Sequence, residues 1–169
     1  MKNLFTLLLL AAFTFTAASA QDPGKDYKNA ERTIKKFIAD PSTVDVKDAI
    51  VMLSSAVNSD ELKGEAKNWV NMGKLMNELA NAEFKSKTLN PDYVIQNPSS
   101  AVDAMKSFSM AKDLGDKKKI KDVGYGLEDS EGHLNNFAIF AYQAQDYLNA
   151  FQNFSASIEA QKLLKELGK

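Results

Sequence analysis

His133 is the only histidine in this chain, and there is no cysteine. Metal sites built from His–Cys, Cys–Cys or several histidines are therefore excluded. A serine–histidine–acid arrangement would have to use His133. Its neighbourhood, Gly132-His133-Leu134, reads as a helix flank and not as the strained turn that exposes a nucleophile. Glu128, Asp129 and Glu131 cluster just before it, but without the alternating ligand spacing and closing glutamate of a calcium loop. They read as a solvated acidic helix face. Lys117-Lys118-Lys119-Ile120-Lys121 is the sharpest basic run, yet on a helix these lysines spread around the axis between Asp113, Asp116 and Asp122. That describes a solubilising tip, not a nucleic-acid or lipid site. Asn153-Phe154-Ser155 fits a glycosylation acceptor formally, on a helix with Phe154 turned inward. No glycine-rich phosphate loop follows a strand, because no strand is read. The residue types predict no catalytic site, no metal and no cofactor.

The elements that carry these residues begin after a leader. Lys2, the apolar run Leu4 to Phe15 and the small-residue site Ala18-Ser19-Ala20 predict a secretory signal peptide over residues 1–20, cleaved after Ala20. The run is too short for a comfortable membrane span. The expected product is a secreted or periplasmic chain over residues 21–169, without disulfides to brace it. A domain of that size buries about 68–70% of its unfolded surface. The formal charge of −1 becomes −2 once Lys2 leaves, so no net basic field favours nucleic acid. Four prolines and abundant Ala, Leu, Lys and Glu favour helix.

Apolar periodicity predicts about six helices. The first runs from about Lys25 to Asp40 and stops at Pro41. The second covers about Val46 to Asn58, capped by Asp45 or Thr43. The third starts at a Ser59 or Asp60 cap and reaches about Phe84, with Leu62, Ala66, Trp69, Met72, Gly73, Met76, Leu79 and Ala80 inward. Residues 85–98, with Asn90-Pro91 and Asn97-Pro98, form a loop. A fourth helix restarts at Ser99 or Ser100 and stops at Gly115. From Asp116 to Gln145 one apolar stripe crosses Gly124, Gly126 and Gly132, each costing about 1 kcal/mol relative to alanine. A long helix is expected there, the alternative being a loop with a helix from Ser130. Asp146 caps the last helix, Tyr147 to about Leu167.

One phrase recurs on alternate helices, Ala-x3-(Leu/Phe)-x2-(Ala/Ser): Ala49–Leu53–Ala56, Ala104–Phe108–Ala111 and Ala150–Phe154–Ser157. Small residues one turn apart admit a neighbouring helix, and the large residue fills the space between. This phrase, with Trp69-Val70-Asn71-Met72-Gly73-Lys74-Leu75-Met76, resembles the tetratricopeptide repeat, whose first helix carries W-x2-L-G-x2-Y and whose second carries A-x3-F. Methionines stand at the family's Leu and Tyr positions. The 85–98 loop lies between the two helices of that unit, and the first unit is the most degraded. With signal peptide, inserted loop and Asn-Pro helix start, the chain is similar to secreted bacterial repeat proteins of this kind.

The resemblance implies an all-α, right-handed superhelix of antiparallel hairpins. It has three degenerate units, over residues 25–58, 60–115 and 116–167. It also implies a non-catalytic module that binds a protein or peptide on the face lined by first helices. With the core residues assigned, Val70, Lys74, Asn77, Asn135, Ile139 and Tyr142 are the candidates for that face. Ile158, Leu163, Leu164 and Leu167 extend an apolar stripe that no later helix covers, which predicts self-association or further repeats there. The competing reading is an envelope structural or small-ligand-binding bundle, marked by a closed apolar cavity lined with methionines.

Overall fold

A computed structural model of the protein describes residues 22–169, so the signal peptide expected over residues 1–20 lies outside the described residues. The described residues are all-α, with six helices: α1 Pro23–Ala39, α2 Lys47–Val57, α3 Ala66–Leu89, α4 Ser100–Asp113, α5 Ile120–Gln143 and α6 Tyr147–Glu166. Contacts pair α1 with α2, α3 with α4 and α5 with α6, and each hairpin lies against the next. α3 is the hub, touched by α1, α2, α4 and α5.

Local chemistry explains the boundaries. The Asp22 carboxylate accepts a hydrogen bond from the Lys25 N–H at 3.0 Å, and Pro23 takes the first helical turn, so α1 starts earlier than periodicity suggests. Asp45 still serves α2, accepting from the Lys47 N–H at 2.9 Å. α3 does not begin at Ser59 or Asp60. Residues 59–64 form turns instead. The Leu62 and Lys63 carbonyls accept from Asn68 Nδ2 at 3.0 Å and Trp69 Nε1 at 2.8 Å, which removes them from any helical ladder. Leu62 is consequently only half-buried.

At its other end α3 continues to Leu89, past the expected stop, because Pro91 acts on Asn90 and not on Lys85. The loop is shorter than the expected residues 85–98 for that reason. α5 is unbroken through its three glycines, as the continuous apolar stripe requires.

The core is centred on Phe108. Its ring lies between Gly73 of α3 and Gly126 of α5, where an added Cβ would stand 2.7 Å and 2.1 Å from the ring. Leu53 and Phe108 are fully buried in their phrases. The third phrase departs from expectation: Ala150 and Ser157 are buried, but Phe154 is 43% exposed and Asn153 points inward instead. Phe108 is covered by the helix that follows α4, and among the described residues no helix follows α6 to cover Phe154. The stripe expected at the C-terminal end also divides, since Leu163 is buried and Leu164 and Leu167 pack on the core, while Ile158 stays exposed.

Candidate functional site

α3 and α5 each present polar side chains one turn apart on the sides that face each other. Lys74, Asn77, Glu78 and Asn81 come from α3, and Asp122, Tyr125, Asp129 and His133 from α5. Between them lies a groove of about 480 Å³. Lys74 Nζ crosses it to Asp122 Oδ1 at 3.3 Å, and Lys119 reaches the same carboxylate at 3.7 Å. The floor is pinned by buried bonds. Asn77 Nδ2 donates to the Gly126 carbonyl at 2.9 Å, and Ser130 Oγ donates to Asn77 Oδ1 at 2.9 Å. One rim is built by Tyr125, whose ring carries the Lys169 ammonium at 4.2 Å, while Lys169 also pairs with Glu128 at 2.9 Å.

His133 sits half-buried at the far end, its ring 6.4 Å from that of Phe84. Burial pushes the imidazole below its usual 6.5, with the Asp129 carboxylate opposing. The fold thus prefers the neutral ring. As pH falls below 6.5 the unfolded chain takes up the proton first, so stability drops until the folded imidazole titrates, and is flat below that. Because no other histidine is present, one NMR resonance reports the midpoint, expected under 6.5 and lower still in Asp129→Asn. A midpoint at or above 6.5 would show that the ring is not shielded here.

The residues expected at the binding face divide. Lys74 lines the groove, and Asn77 forms its floor with only 7% exposure. Val70 is 1% exposed and belongs to the core, because α3 is covered on several sides. Asn135 faces α6, accepting from Ser157 Oγ at 3.2 Å and donating to Glu131 Oε1 at 2.6 Å. Ile139 and Tyr142 are exposed but do not line the groove, and Tyr142 packs on Tyr147 with ring centroids 5.8 Å apart. Glu78, Asn81, Tyr125, Asp129 and His133 were not anticipated. Their signal was present as polar residues at helical spacing beside the apolar stripes of α3 and α5. The Asn153 amide is buried and donates to the Asn149 carbonyl at 2.9 Å, so it is no acceptor for a glycan in the folded chain.

A second surface lies where the first hairpin meets the second. α2 touches α3 only slightly and does not approach α4. The gap is a groove of about 930 Å³ whose apolar lining includes Ile50, Val51, Trp69, Met72, Met105 and Met110. It is open to solvent, not a closed cavity. Among the described residues no group of metal-capable side chains is found, and no helix is long and apolar enough to cross a membrane. Comparisons with protein-family models, curated proteins and solved structures give no match.

Proposed function

We propose that this protein is a non-catalytic interaction module, secreted or periplasmic, that holds an extended protein or peptide segment between α3 and α5. The observation that carries the reading is the groove itself: amide, carboxylate and aromatic side chains at one-turn spacing on two adjoining helices, over a floor held by buried hydrogen bonds. In this reading the hairpins are degenerate tetratricopeptide-like units in a right-handed superhelix, with α1, α3 and α5 forming the binding side. The contact of Phe108 with Gly73 supports it, since a glycine there lets the second helix approach the first. Asp122 is held by two lysines, which leaves Glu78 and Asp129 to receive a cationic side chain. A basic peptide is therefore the expected ligand.

Random-peptide display on the purified protein should enrich lysine- and arginine-containing sequences. Enrichment should fall at least tenfold with Glu78→Lys/Asp129→Lys. No enrichment, or the same sequences recovered by the variant, rejects the groove as the site.

The methionine-lined groove favours a second reading, a bundle that takes up a small apolar ligand. Trp69, the sole tryptophan, lines that groove and reports on it. A saturable change in its emission on titration with a long-chain fatty acid would favour that reading over the first.

A further inference from the structure

We propose that the outer face of α5 and α6 is covered by a second copy of this chain, the two α6 helices packing antiparallel about a two-fold axis near Phe154. Tyr147, Phe151, Phe154 and Ile158 recur at the three-and-four spacing of a helix–helix seam, on the side of α6 opposite its core residues Asn153, Ala156, Ala160 and Leu163. Tyr142 of α5 joins this surface through its ring contact with Tyr147, and the exposed Ile139 stands one turn before it on α5. α6 is thus apolar on two sides, where a solvent-facing helix has one apolar stripe.

The area suits a dimer. These six side chains are 43% to 69% exposed. With full areas of about 200 Å² each they present roughly 700 Å², close to the ~800 Å² that one partner of a standard interface buries.

Charge selects the orientation. Asp146 stands at the start of α6, and Lys162 and Lys165 stand near its end, where Glu159 pairs loosely with Lys162 at 3.6 Å and Glu166 is drawn off to Lys112 of α4 at 2.6 Å. Antiparallel pairing brings the acidic end of one helix to the basic end of the other, whereas parallel pairing sets lysine against lysine. Charge also selects closure over a filament. At the other end of the stack α1 exposes Lys28, Arg32, Lys35 and Lys36, so head-to-tail stacking would press the apolar face onto solvated cations. The groove residues leave α5 on its α3 side, so the second copy leaves the groove open. A dimer would then offer two grooves and hold a partner with repeated segments by avidity. The dimer stands independently of the peptide-binding reading.

Sedimentation equilibrium of the purified protein should give a dimer mass at micromolar concentration. Phe151→Glu/Ile158→Glu should give a monomer at the same concentration, with at least a hundredfold weaker association. Both positions are exposed, so the variant should keep the wild-type helical circular dichroism. Ser155→Cys, beside the axis in a chain without native cysteine, should be joined to its copy by a short bismaleimide, while Ser42→Cys should not. A wild-type monomer at high micromolar concentration overturns the proposal. So does a dimer that survives the double glutamate, or cross-linking through position 42 instead of 155.

Discussion

Gly126→Ala is expected to destabilise the protein by about 3 kcal/mol, although alanine is the better helix former by about 1 kcal/mol. The new Cβ would lie 2.1, 2.3 and 2.5 Å from three atoms of the Phe108 ring. The ring tip has little room to retreat, because the same atoms also face Gly73 of α3, where an added Cβ would stand 2.7 Å away. Relief must come from moving α4 or α5, which costs packing across the whole second junction. Urea unfolding checks this directly. Gly132→Ala is the internal control: nothing lies within 4 Å of its added Cβ, so it should gain about 1 kcal/mol. Phe108→Leu should be less harmful in the Gly126→Ala background than alone, since the smaller side chain vacates the contested space. If Gly126→Ala is as stable as wild type, the ring is not wedged between the two glycines.

The second large effect is expected at Glu83. Its side chain is fully buried on α3, yet it points at Gln96 and Asn97, at the end of the loop before α4, and not at a cation. It accepts from the Gln96 N–H at 3.0 Å, from the Asn97 N–H at 2.9 Å and from Asn97 Nδ2 at 2.7 Å. The carboxylate therefore satisfies backbone groups that would otherwise be stranded just before α4, and it seats Pro98 and Ser99 for the helix start. The same packing pushes the Tyr93 hydroxyl up to about 12, through burial first and then through its closeness to the Glu83 carboxylate, as an acceptor and as a charge.

Glu83→Ala should cost about 3–5 kcal/mol, since three donors lose their acceptor at about 1–3 kcal/mol each. Glu83→Gln should cost less, about 1–3 kcal/mol, because one oxygen remains while its amide meets a donor. Limited proteolysis should show cleavage within residues 90–98 of Glu83→Ala before global unfolding. Equal stability of all three proteins, with a protected loop, would contradict the clamp.

Neither device was visible in the chain order. Glu83 falls within an expected helix end and carries no motif. Gly126 read as a helix-weakening residue, when its lack of a side chain is what admits Phe108. Both depend on partners far along the chain, Phe108 for Gly126 and Gln96 and Asn97 for Glu83.

Hydropathy period and punctuation by themselves determined the all-α class, six helices and the breaks at Pro41, Gly115 and Asp146, and placed a break before Pro91, although α3 runs past Phe84 to Leu89. Those features are local: a period of 3.6 marks a buried side, and a proline or cap acts within one turn of its position. Tertiary structure alone decided what each helix's outward residues face. α5 has one polar edge toward α3 and another toward α6, and a helical period cannot tell them apart. Tyr125, Asp129 and His133 therefore entered the groove, while Asn135 turned to Ser157. Val70 sank because α3 has neighbours on several sides, and Phe154 surfaced because among the described residues nothing follows α6 to cover it. An inward-or-outward pattern holds one bit per residue, whereas α3, α4 and α5 each have three or four different neighbours to choose between.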